Sequence, residues 1–68
     1  VKNNIHEQRK QMKLSQAELA DLTQVTRQTI NAIENNKYDP SLDLAFSIAH
    51  ILKTPIEKLF IWEEPQND

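Results

Sequence analysis

Two residue types are missing from this 68-residue chain altogether, cysteine and glycine. Without cysteine there is no disulfide framework and no thiolate zinc site. Without glycine, which averages about 7% elsewhere, helix ends and turns must be made by capping side chains, Asn and Pro. No apolar run approaches the ~20 residues of a membrane span, and no signal-peptide pattern opens the chain. The default expectation is one small cytoplasmic domain covering residues 1–68. A domain of about 60 residues buries only ~60% of the surface its unfolded chain exposes. An unaided core of this size comes from well-packed helices or from dimerisation. Little room is left for a walled pocket, and no Ser, His and acid set suggests catalysis. We therefore expect no enzyme and no cofactor.

Hydrophobic residues at 38% and charged ones at 26% describe a globular chain rather than a disordered one. The net charge of −2 hides an asymmetry. Residues 1–38 carry six basic and four acidic groups, whereas residues 39–68 carry two basic and six acidic. Such a split points to a nucleic-acid face on one half, although scattered surface charge can produce it by chance.

Periodicity and caps predict five short helices. The first covers Asn4 to Lys13, with Ile5, Arg9 and Met12 along one stripe. Ser15 and Glu18 form a capping box that opens the second, whose buried side is Ala17, Leu19, Ala20 and Leu22. Thr26 caps a third helix that ends near Asn35, and Asn36 suits a left-handed C-cap. Ser41 caps a fourth, to Leu52, with Leu42, Ala45, Ile48, Ala49 and Leu52 inward. Thr54-Pro55-Ile56-Glu57 reads as a second capping box, with Pro at the first helical position of a short helix ending near Phe60. Phe60-Ile61-Trp62 is too apolar to be left in water. It suits a strand pairing with Val1 to Asn3, a dimer contact, or both. Pro65 to Asp68 reads as a frayed tail.

Two short helices joined by a three-residue turn make a helix-turn-helix, here spanning Gln16 to Asn35. On the third helix Ile30, Ile33 and Glu34 share one side. The opposite side carries Gln28, Ala32 and Asn35, flanked by Asn31, with Arg27 and Thr29 near the start. That outward side holds no acid. Arg can pair bidentately with guanine, and Gln or Asn with adenine. Amides on a solvated helix are nevertheless ordinary. Glu34 points coreward, where a carboxylate needs a partner, and Arg9 on the first helix is the obvious one.

Four blocks then match a family: Ser15-Gln16-Ala17-Glu18-Leu19-Ala20, Val25-Thr26-Arg27-Gln28-Thr29-Ile30, Ile33-Glu34-Asn35-Asn36-Lys37 and Pro40-Ser41-Leu42. From Ile5 to Phe60 the chain resembles the Cro/cI-type helix-turn-helix (XRE) transcription regulators, and among them the very small stand-alone bacterial ones. The resemblance implies a mainly α, five-helix domain, in which the terminal segments can pair as a β-hairpin. It implies that Gln16 holds a backbone phosphate and that Arg27, Gln28 and Asn31 read bases or nearby phosphates. Thr26 and Thr29 would cap or touch phosphate, and Asn36, Lys37 and Tyr38 would grip the backbone beyond. Arg9 and Glu34 match the family's structural ion pair, and Phe60, Ile61 and Trp62 suit its dimer contact. Two departures stand out: the family usually carries Gly where Gln24 and Asn36 stand. A left-handed Gln24 costs on the order of 1 kcal/mol.

The function this implies is a homodimeric transcription regulator, more in keeping with a repressor, that reads an inverted repeat in double-stranded DNA through the major groove. The alternative is a protein-interaction module, such as an antitoxin or phage-type regulator, working through a partner protein. His6 and His50 are far apart in sequence and lack a third ligand at useful spacing, so no metal site is expected.

Overall fold

A computed structural model of the chain describes residues 1–65. Its elements in order are β1 (Lys2–Asn3), α1 (Ile5–Gln11), α2 (Gln16–Thr23), α3 (Arg27–Glu34), α4 (Leu42–Leu52), α5 (Ile56–Leu59) and β2 (Phe60–Ile61). The mainly helical, five-helix expectation holds, and so does the terminal strand pair. β1 and β2 run antiparallel with Lys2 opposite Ile61 and Asn3 opposite Phe60. Of the tail from Pro65, residues 66–68 lie outside the described residues.

Each helix start rests on a side chain or a proline. Ser15 Oγ accepts from the Glu18 N–H at 3.0 Å, and Glu18 Oε1 accepts from the Ser15 N–H at 2.9 Å. Thr26 Oγ1 accepts from the Thr29 N–H at 3.2 Å, and Ser41 Oγ from the Leu44 N–H at 3.1 Å. Two hydrogen bonds to Ser15 hold the Glu18 carboxyl below its ordinary range.

The helix ends show what the missing glycine requires. Lys13, Gln24, Asn36 and Lys53 all take a left-handed backbone, with φ of 60°, 60°, 62° and 53°. In each case the next residue donates its N–H to the carbonyl five positions back: Leu14 to Arg9, Val25 to Ala20, Lys37 to Ala32 and Thr54 to Ala49, at 2.9–3.1 Å. This is the hydrogen bond of the Schellman end, ordinarily built on Gly. Four helices thus stop by one device, each at on the order of 1 kcal/mol of backbone strain. Only Gln24 and Asn36 were expected in this role; Lys13 and Lys53 carry no such signal in their residue type.

Every helix contributes to one core. Ile5, Leu19, Ile30, Ile33, Ile48 and Leu59 are fully buried, with Ala20, Ala49 and Leu52 packed among them. Four expected core positions are corrected. Met12, Ala17, Leu22 and Leu42 are exposed, because α1 and α2 are short and bury only a narrow stripe, and because Leu42 is the first residue of α4, one turn before the buried Ala45. The second capping box does not form either. The left-handed turn at Lys53 commits the Thr54 N–H to Ala49, and the Thr54 hydroxyl donates to the Leu52 carbonyl at 3.0 Å. Pro55 therefore stands just before α5, with no side-chain cap. No helix among the described residues is long and apolar enough to cross a membrane.

Candidate nucleic-acid interface

Burial of Ile30 and Ile33 fixes the rotation of α3 about its axis. Arg27, Gln28, Asn31 and Asn35 are consequently exposed, and Thr29 and Ala32 half-buried. Gln16, at the first turn of α2, joins Arg27, Gln28 and Asn31 around one shallow notch. Helix-turn-helix packing therefore brings together four of the expected residues from two elements.

Thr26 and Thr29 are engaged with each other, their hydroxyls 3.0 Å apart, while Thr26 also caps α3. Asn36 sits at the left-handed turn, and its Oδ1 accepts from Asn3 Nδ2 at 3.4 Å. Lys37 follows, exposed and without an ion pair among the described residues. Tyr38 stands apart from the notch and lines a different hollow with Leu22, Thr23, Thr29 and Ser41.

Beneath this surface lies the expected ion pair. Arg9 Nε donates to Glu34 Oε2 at 2.9 Å and Nη2 to Oε1 at 3.1 Å, a bidentate fork, while Nη1 donates to the Leu14 carbonyl at 2.9 Å. The two side chains are only 7% and 6% exposed. Burial alone would raise the Glu34 pKa. The Arg9 hydrogen bonds, a hydrogen bond from Gln16 Nε2 at 3.2 Å and the Arg9 charge outweigh it and hold the carboxyl below its ordinary value. His6 Nδ1 lies 3.0 Å from Arg9 Nη2, so this histidine borders the pair, while His50 lies near the end of α4.

Two groups escaped the sequence reading. Lys10 and Lys13 line a cleft with Leu14, Ser15, Gln16 and Arg27, beside the notch. Their signal in the sequence is the basic surplus of residues 1–38; Lys10 lies in the last turn of α1 and Lys13 just past it. The second group is apolar. Leu42 at 71% and Phe46 at 54% are exposed on successive turns of α4. Leu42 lines a groove with Ala45, Ile56 and Phe60. Of the expected dimer residues, Phe60 is half-buried against the core, whereas Ile61 is exposed and Trp62 is 73% exposed.

Comparison with known proteins gives the family. A family model described as helix-turn-helix matches residues 5–59. An uncharacterised HTH-type transcriptional regulator of Methanocaldococcus jannaschii is 47% identical over 97% of this chain and its own full length. One from Methanothermobacter thermautotrophicus is 51% identical over 88% of each chain. The Bacillus subtilis regulator YgzD is 40% identical over 98% of this chain and all of its own. These relatives come from archaea as well as a bacterium, a wider range than the bacterial resemblance implied. The chain belongs to the helix-turn-helix family, in its small XRE-type form.

Proposed function

We propose that this protein is a DNA-binding transcription regulator, a single helix-turn-helix domain acting in the cytoplasm as a homodimeric repressor on an inverted-repeat operator. One observation carries the reading: the outward side of α3 presents Arg27, Gln28 and Asn31 with no carboxylate among them, because the helix's one acid is turned inward to Arg9. Those three side chains read base edges in the major groove. Gln16, with Thr26 and Thr29, meets the phosphates on one flank; Asn36, Lys37 and Tyr38 meet them on the other. Lys10 and Lys13 extend the first flank.

One helix of this length reads about four to six base pairs, too few for a unique site, so two copies related by a two-fold axis read two half-sites. Ile61 and Trp62, together with Leu42 and Phe46, form the contact between copies. A stable dimer covers about 800 Å² on each partner. That is roughly a sixth of this chain's 5060 Å² surface, so Ile61 and Trp62 alone are too few and the α4 stripe is needed. Repression follows from occupying a promoter and excluding polymerase.

Lys37→Ala should weaken binding to all duplexes alike and lower the slope of log affinity against log salt by about one unit, whereas Gln28→Ala should relax discrimination at one base pair. If neither affects any duplex, the reading face is misassigned. The same exposed apolar stripe favours a second reading, a module whose main partner is another protein. A monomer without salt-dependent DNA binding that co-purifies with a second polypeptide would decide for it.

A further inference from the structure

Glu34 does more than hold α3 against α1. Its Oε1 receives both Arg9 Nη2 at 3.1 Å and Gln16 Nε2 at 3.2 Å, and Gln16 Oε1 in turn faces Asn31 Nδ2 at 3.5 Å. From this chain of contacts we infer that Glu34 is a specificity-positioning residue, which sets the amide of Gln16 and, through it, the amide of Asn31 on the reading face. The inference rests on the DNA-binding reading above and deepens it.

Chemistry fixes the direction of each link. An ionised carboxylate only accepts hydrogen bonds, so Gln16 must turn its NH2 toward Glu34, with its second N–H left for a phosphate and its carbonyl oxygen toward Asn31. An amide oxygen facing Asn31 selects the Asn31 NH2 in the same way. Asn31 is left with one N–H and its Oδ1 outside the hydrogen bonds of the described residues. One donor beside one acceptor is the set an adenine edge requires, at N7 and N6. Were Gln16 free to flip, it would offer Asn31 an NH2 half the time, and the Asn31 amide would lose its preferred orientation. The buried fork from Arg9 keeps Glu34 from following such a flip, since both carboxylate oxygens are already held. The outermost link is the longest, so Asn31 is biased rather than locked.

The test has one arm without DNA and one with it. In the free, isotope-labelled protein, the side-chain amide resonances of Gln16 should move in Glu34→Gln and in Asn31→Ala. Resonances unmoved by either change overturn the relay. For the second arm, duplexes are selected by the wild-type protein and the base pair relaxed by Asn31→Ala is located. Glu34→Gln should lower discrimination at that same base pair about fivefold, the equivalent of the ~1 kcal/mol lower bound for a bidentate amide contact, and leave the salt slope unchanged. A uniform loss across all sequences makes Glu34 purely structural and overturns the proposal. Should Glu34→Gln fail to fold, Gln16→Met keeps the Arg9–Glu34 fork, removes both amide contacts, and should relax the same base pair on top of the uniform loss from its own phosphate contact; discrimination unchanged at that base pair overturns the proposal. If the wild-type protein binds no duplex, the DNA-binding reading fails, and the resonances of the free protein still decide the relay.

Discussion

Arg9→Ala should lower the melting temperature by at least about 12 °C. Removing one partner of a buried ion pair costs about 3–5 kcal/mol, because the other charge stays behind without compensation. Here both side chains are more than nine-tenths buried, and the Leu14 carbonyl loses its donor as well. Chains of this kind hold about 0.05–0.15 kcal/mol of stability per residue, about 3–10 kcal/mol for 68 residues, so the loss is about a third of the total or more. For a domain of 60–100 residues, each kcal/mol moves the melting temperature by about 4–8 °C. The double change Arg9→Met with Glu34→Met should recover part of the loss, since an apolar pair of similar volume needs no desolvation. A double variant no better than Arg9→Ala would show that the fork itself is not the source of the effect.

The same pair makes an acid prediction with a definite sign. Glu34 has its folded pKa depressed by Arg9 and Gln16. Its contribution is therefore fully present above the unfolded carboxylate value of about 4.3, and it is lost as pH falls through the depressed folded value. Melting temperature should decline over that acid window, and less steeply in Glu34→Gln.

Leu42→Ser with Trp62→Ser should turn the proposed dimer into a monomer and weaken binding to a two-half-site duplex by about a hundredfold or more. Losing the second half-site removes the effective-concentration advantage of a joined pair, worth about 10²–10⁴ in affinity. Both side chains are more than two-thirds exposed in the protomer, and substitutions at such sites shift stability by only about 0.5 kcal/mol. Melting of the monomer should therefore be little changed while sedimentation and affinity change greatly. A double variant that remains dimeric places the contact between copies elsewhere.

The parts of the fold that were legible are those governed by nearby residues. Ser15 and Glu18, Thr26, and Ser41 name their helix starts because each cap is closed within three positions. The rotation of α3 followed from Ile30 and Ile33, and the Arg9–Glu34 pair from the need of an inward carboxylate for a partner. What escaped depended on packing at a distance. Thr54 and Glu57 have the spacing of a capping box, but the Schellman end at Lys53 claims the backbone first. Leu42 has the residue type of the core, but α5 and β2 close the core without it. Lys10 and Lys13 join the candidate surface only because α1 delivers them beside the start of α2. The Glu34–Gln16–Asn31 relay crosses from α3 to α2 and back, which no local spacing announces.

Selection of duplexes from a random pool, with protomers per bound duplex measured alongside, tests the proposed function most directly. We expect enriched sequences with two-fold symmetry, half-sites separated by about one helical turn of DNA, and two protomers on each. A pool that emerges unenriched, or asymmetric sites occupied by single protomers, would contradict it.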